Sequence, residues 1–531
     1  MKKLNRRHFL QSSAGYGFLA LAIESYLKSL VFSGGMDALA SSGGASDKFY
    51  VGIHIDGGPA RWMFDLPLYT NTSEKGTLES NANPMVITGW SNNQSFNGPM
   101  TGEYELRSRG GLLLPPLWQD STPTDLEILV GHSIFIRGLK TLSIHPAWKA
   151  MFMPRIGSLS IPGIISNYAG STMPCINFGV DSFPLGNTLG QNSKIMDYSG
   201  NWRDLDANSC KVIPKELILP FKEISNDLSE GSLKMKKIRS VLKKIAEGNN
   251  LNNRLLYSSQ GEAIEAMESG LESIVNNFST AFESYRLLFA ESINTKITNL
   301  DDSNIFSTCS TPDTRFDSDK TYFSSYIDKD RPNILDFIIK GASTATNNRL
   351  CAGLALAEVL IKSPVILSRS FMINGGTLYM INGGGRFDHD GHDLGAVPSC
   401  LYYTKYFQGV AHLLNQFISN LGSRFNKTLI QVGGDFNRSA QYAGGGSDHG
   451  GDGSNTTLIT GIKPGGVILG EIDYTNNYQG KKHQGIWGQA KSKYSTEMVS
   501  NLVEYILGVP GSDRTFKNED QLTRDYKNKA S

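Results

Sequence analysis

Residues 383–395 read GGGRFDHDGHDLG. Asp388, His389, Asp390, His392 and Asp393 crowd into this one short stretch, flanked by glycines. Carboxylates and imidazoles together suit zinc or manganese better than a purely oxygen-lined site would. Asp388 and His392 stand four apart, which on a helical turn puts both on one face, and Gly391 lets the loop approach closely. The same residues also resemble the D-x-D-G-x-D calcium turns of extracellular proteins. That reading calls for oxygen ligation and gives His392 no role.

Further donors follow other apolar runs. YVGIHI (50–55) reads as a buried strand and ends at Asp56. TLYMIN (377–382) reads as the strand before the Asp388 loop, and TLIQVGG (428–434) ends at Asp435. SDHGGDG, with Asp448 and His449, lies on the next loop. Open α/β sheets gather function in the loops at the carboxyl ends of their strands, so these clusters are expected to converge on one edge. Two metals held there about 4 Å apart could clamp the attacking and leaving oxygens of a displacement. Arg438, three residues after Asp435, could hold an anionic group bidentately or pair with a neighbouring carboxylate. His54 lies inside a strand and reads as structural, and His132 and His483 have no motif context. Glycine runs at 383–385 and 444–446 match no Walker or dinucleotide pattern and read as loop glycines.

The elements that must position these groups alternate. EILV (127–130) and TLIT (457–460) also read as strands, and 348–363 and 406–425 as amphipathic helices. Strands alternating with helices predict an α/β fold with a mostly parallel sheet sandwiched by helices. Residues 214–300 are rich in Lys, Glu, Leu and Ser at near-helical period and read as an inserted helical cap, its basic run at 234–244 a solvated helix face. The expected organisation is therefore an α/β domain split into 41–213 and 301–511, interrupted by the cap and followed by a charged, flexible tail at 512–531.

With 531 residues and a formal charge of +1, the chain carries no global field that would favour nucleic acid. The 5 cysteines include no C-x-x-C pair, and their odd number leaves at least one thiol free in a monomer. MKKLNRRHFL, a mildly apolar stretch from 14 to 22 and Ala38-Leu39-Ala40 read as a twin-arginine export signal over 1–40, giving a periplasmic or secreted protein. No internal apolar run is long enough to span a bilayer, so the mature chain is expected to lack an integral membrane segment. Oligomeric state is not legible.

Asp388-x-x-Gly391-His392-x-x-Gly395 is similar to the D-x-x-G-H-x-x-G signature of the alkaline phosphatase superfamily, in its phosphodiesterase and cofactor-independent phosphoglycerate mutase branches. The resemblance implies that Asp388 and His392 bind one divalent metal, that Asp56 and Asp435 bind a second, and that His449, beside Asp448, closes the first site. It also implies a Ser or Thr nucleophile at a helix N-terminus. KTLSIH (140–145) resembles the phosphodiesterase stretch that carries it, making Thr141 the first candidate and Ser143 the second. His145 is then a substrate-binding candidate, or simply a buried, hydrogen-bonded histidine.

A closer resemblance spans nearly the whole mature chain. GGPARWMFDLPL (57–68), PRIGSLS (154–160), FDHDGH (387–392), GGDFNRS (433–439), GGSDHGG (445–451) and GGVILGEID (465–473) follow the order and spacing of the exported bacterial family known as domain of unknown function 1501. Asp435 replaces that family's Glu, and Asn437 its Gly. Its W-D-T-H element aligns two ways, so Asp388 and Asp390 compete for one role. Asp56 as a ligand is implied by the superfamily alone. Together the resemblances imply an alkaline phosphatase-like, metal-dependent hydrolase of small anionic phosphate or sulfate esters. The alternative is an exported binding or structural protein that keeps the fold without the chemistry and binds calcium.

Overall fold

The computed structural model of the chain describes residues 47–59, 61, 64–69, 107–109, 111–118, 123–141, 151–153, 160–169, 175–178, 196–197, 274, 276–295, 345–363, 368–376, 378–380, 396–435, 437–440, 447–450, 452–471, 477–478, 481–482, 493–509, 514 and 518–531. Their principal strands are β1 (Phe49–Ile55), β2 (Ser133–Lys140), β3 (Ile176–Phe178), β4 (Met196–Asp197), β5 (Ser370–Asn374) and β6 (Thr428–Gly434). β7 (Asn437–Ala440), β8 (Ser447–Gly450), β9 (Asp452–Thr460), β10 (Val467–Leu469) and β11 (Tyr494–Ser495) follow. A 9-stranded sheet runs in the order β10-β2-β9-β6-β1-β5-β3-β4, with β11 beside β2. β9 runs antiparallel to both its neighbours, and every other pairing in the sheet is parallel. β7 and β8 form a separate antiparallel hairpin.

The central strands are apolar because helices cover both their faces. FYVGIHI and TLIQVGG are buried at every position, as doubly covered parallel strands must be. The described helices are α1 (Glu127–Gly131), α2 (Ile161–Ala169), α3 (276–294), α4 (Asn348–Lys362), α5 (Ala396–Leu421), α6 (Thr496–Leu507) and α7 (Gln521–Ala530). Ile161 and Ile165 of α2, Val499 and Leu502 of α6 and Leu522 of α7 share one core with Tyr50, Met372 and Leu429. α4 lies on the other face, so close that a Cβ on Gly353 would sit 2.5 Å from Ile373 Cγ2. α5 packs on α4, and α3 on α5. Caps define several helix starts: Asn347, Ser495 and Asp520 accept from the backbone N–H of Leu350, Met498 and Thr523. α6 ends at Gly508, whose φ of 77° is the left-handed conformation a helix stop favours.

This arrangement matches the expected α/β class with its mostly parallel sheet, and corrects several of the expected elements. EILV is the helix α1 rather than a strand: Asp125 accepts from the Glu127 backbone N–H, and Ile128 is 50% exposed. The strand is the next segment, SIFIRGLK, where a fully buried Arg137 interrupts the apolar pattern. Among the described residues of TLYMIN, Tyr379–Met380 pair with Ala345–Thr346 in a 2-stranded ribbon, while the sheet takes Ser370–Asn374 upstream. TLIT is a strand as expected, the end of β9, which runs antiparallel to its neighbours. The described end of the expected cap, α3, belongs to the helical layer, with Tyr285 and Phe289 buried; residues 214–273 lie outside the described set.

The tail is corrected too. Instead of fraying, 521–530 form α7, with Leu522, Thr523 and Tyr526 buried, because its short apolar stripe finds the open side of α6 and β10. Cys175 and Cys351 are buried free thiols. Burial pushes the Cys175 thiol up to about 12 and raises that of Cys351, so both stay protonated and inert. Among the described residues no helix is long and apolar enough to cross a membrane.

Candidate metal centre

β1 and β6 are parallel neighbours with Ile55 opposite Gly434, so the residues that leave the two strands, Asp56 and Asp435, emerge side by side. Side chains two apart on a strand share a face. His54 therefore points to the same side of β1 as the residue that follows Ile55. His54, Asp56 and Asp435 offer ligand atoms that all lie within 4.8 Å of one another. His54 Nε2 lies 2.9 Å from Asp435 Oδ1, and the Gly57 backbone N–H donates to Asp435 Oδ2 at 3.1 Å. That second bond needs a tight turn directly after Asp56, which Gly57 and Gly58 supply with φ of 84° and 61°.

His54 is 3% exposed and Asp435 1%, whereas Asp56 is exposed. The cluster is thus walled on the protein side and open at Asp56. Phe152 meets the His54 ring edge-on at 6.2 Å between centroids, which limits its rotation. On the opposite side of the edge, Tyr406 Oη donates to Gly375 O at 2.9 Å. Burial raises the Tyr406 hydroxyl above its ordinary range; Arg61 works against that rise and Asp56 adds to it, so the phenol stays neutral.

The other sequence candidates fall into three groups. Thr141 is the first residue after β2, at the same carboxyl edge, buried, and its hydroxyl has no hydrogen-bond partner. β2 is two strands from β6, roughly 10 Å across the sheet at the usual strand spacing, and the register sets Thr141 about four residues further along its strand than the end of β6. Arg438, Asp448 and His449 lie on the β7–β8 hairpin, with Arg438 paired to His449 and Ser439 to Asp448. The hairpin begins two residues after Asp435 and leads into β9, so its backbone rises from the same edge. Asp388, Asp390, His392, Ser143 and His145 lie outside the described residues.

One member of the cluster, His54, reads in sequence as a structural histidine; its burial and its hydrogen bond to Asp435 agree with that reading, and the geometry adds it to the possible metal ligands. The signal that would have found it is the His54-x-Asp56 spacing at the end of a strand, which places imidazole and carboxylate on one face. Chemically, one imidazole and two carboxylates make a mixed nitrogen and oxygen set. Three protein ligands are the usual complement of a catalytic zinc, the remaining position being left for water or substrate. Compared with protein-family models, with curated proteins and with solved structures, the chain matches none.

Proposed function

We propose that this chain is an exported, alkaline phosphatase-like, metal-dependent hydrolase of small phosphate or sulfate esters. The observation that carries the reading is the His54–Asp56–Asp435 cluster at the carboxyl edge of a mostly parallel sheet. An imidazole among the ligands favours zinc or manganese over calcium, which takes oxygen donors. Bound there, such an ion supplies Lewis-acid polarisation of an ester oxygen. The chain's own residues divide the remaining work. Asp435, anchored by the Gly57 N–H, and His54 would exchange their mutual hydrogen bond for contacts to the ion, which they would hold together with Asp56. Asp56, the exposed member, faces incoming ligand. Thr141, whose buried hydroxyl has no hydrogen-bond partner, is the nucleophile that the sequence resemblance implies, and the register sets it farther along the edge than attacking distance from this ion. Through the sequence resemblance Asp388, His392 and His449 are assigned to a second metal, and Arg438, three residues after Asp435, to an anion.

The test is metal analysis of the purified full-length chain, followed by hydrolysis of a generic aryl phosphate and an aryl sulfate. Stoichiometric zinc or manganese is expected, with turnover lost in Asp435→Ala. Zinc at a hundred times its dissociation constant should stabilise the wild type by about 2.7 kcal/mol and leave Asp435→Ala unmoved. Stoichiometric calcium, or absence of both metal and turnover, sinks the enzyme reading.

A further inference from the structure

Arg61 lies on the other face of the same sheet edge and is 1% exposed. Its Nε donates to Asp65 Oδ1 at 2.7 Å, and its Nη2 to Asp65 Oδ2 and to Val432 O. Asp65 also accepts from Asn455 Nδ2 at 3.0 Å and from Thr457 Oγ1 at 2.6 Å, so its carboxylate is committed and the guanidinium is held in one orientation. The third nitrogen, Nη1, is buried and has no partner. Its place follows from β6. Nη2 meets the carbonyl of Val432, whereas a Cβ built on Gly434 would lie 3.9 Å from Nη1. The free nitrogen is thus at the end of the fork nearer the carboxyl edge, beside the residue that precedes Asp435.

Buried donors are almost always bonded, so an unbonded guanidinium nitrogen beside a candidate site marks a place for an acceptor. No side chain rises from Gly434 or Gly375 here, and the backbone is closely approached: a Cβ on Gly434 would meet Ile55 O at 3.2 Å and Pro59 Cδ at 3.5 Å. A Cβ on Gly375 would meet Tyr406 Oη at 3.1 Å. The same hydroxyl feels the charges of both Arg61 and Asp56, which links the cation to the metal cluster. We infer that Arg61 is an anion-holding residue, whose Nη1 takes a non-bridging oxygen of a tetrahedral oxyanion bound at the carboxyl edge beside Asp435. The substrate class of this assignment rests on the hydrolase reading. The planar fork, already locked on one side by Asp65, is preorganised for that contact in a way a lysine is not.

The probe is inorganic phosphate, titrated calorimetrically into the zinc-loaded full-length chain. The paired replacement Arg61→Gln with Asp65→Asn removes both charges and leaves neither unpaired. It is expected to keep zinc affinity within about threefold while phosphate affinity falls about ten- to a hundredfold. Unchanged phosphate affinity in that variant, or no phosphate binding by the zinc-loaded wild type, overturns the assignment and leaves the metal centre standing. A wild type that takes up no zinc sinks the metal reading instead. Arg61 is then decided by phosphate titration of 15N-arginine-labelled wild type, its Nε–Hε signal identified by loss in Arg61→Lys. Saturable movement of that signal supports the assignment, and a signal that does not move refutes it. The same measurement decides the matter should the paired variant fail to fold.

Discussion

His412, on α5, is buried, and its Nδ1 lies 2.7 Å from Thr124 Oγ1. Burial without a compensating anion holds its pKa down to about 4, against 6.5 for the free imidazole. The unfolded chain therefore takes up this proton before the folded one does. The stabilisation from keeping His412 neutral is complete above pH 6.5 and is lost as pH falls towards about 4. Linkage sets the full loss at about 3 kcal/mol. Urea unfolding at about pH 7.5 and about pH 4.5 is expected to show a larger acid loss in the wild type than in His412→Gln. Equal losses would mean that this imidazole does not govern the acid limb. At the same scale, the candidate metal cluster was half legible. Asp56 and Asp435 each follow an apolar run that could be read directly, whereas His54 sits within such a run, where a histidine looks like core.

Among the elements, α3 is held to the body by three devices. Its Tyr285 donates to Glu358 Oε2 of α4 at 2.7 Å, and Asn420 of α5 donates to the same oxygen at 2.9 Å. The Thr295 carbonyl at its C-terminal end accepts from Lys405 Nζ and Gln408 Nε2 at 3.1 and 3.2 Å, placing a cation where the helix dipole favours one. Its Phe289 ring lies directly over Gly409, where a Cβ would approach Cε2 to 2.2 Å. Gly409→Ala should therefore overpack the α3–α5 crossing and destabilise the chain by about 1–3 kcal/mol. Chemical denaturation reads the cost, and faster limited proteolysis around α3 reads its location. A variant as stable and as resistant as the wild type would show that the crossing has room. Periodicity announced the helical character of α3, but not its partner, because the glycine that permits the crossing lies far away in sequence on α5.

Over the whole molecule, the last helix closes the core. Asp520 caps α7 through Oδ1 and accepts from Asn501 Nδ2 through Oδ2 at 2.7 Å, while Tyr526 Oη donates to Pro464 O at 2.8 Å. Leu522 is fully buried in the core shared with α6 and β10. Leu522→Ala is expected to cost about 2–5 kcal/mol in denaturant unfolding. A tail that frayed would yield no change, and that outcome would detach α7 from the folded unit. The composition of this segment, polar apart from Leu522, Tyr526 and Ala530, hid its role, since an amphipathic helix with so narrow a stripe is stable only where a groove receives it.

What the sequence determined by itself are the features encoded locally: the doubly buried strands β1 and β6, the long helices α4 and α5, and the aspartates that end two parallel strands. These depend on the side chains of one segment and on the periods of 2 and 3.6 residues that a strand or a helix imposes. Pairing, register and docking were decided only in three dimensions. The register Ile55 to Gly434 brings Asp56 beside Asp435, the pleat of β1 adds His54, and the loop after β1 returns Arg61 to the far face of β6. The β1–β6 register and the Arg61 contact join residues hundreds of positions apart, and their free energy belongs to the packed sheet, so no single stretch of chain could announce them.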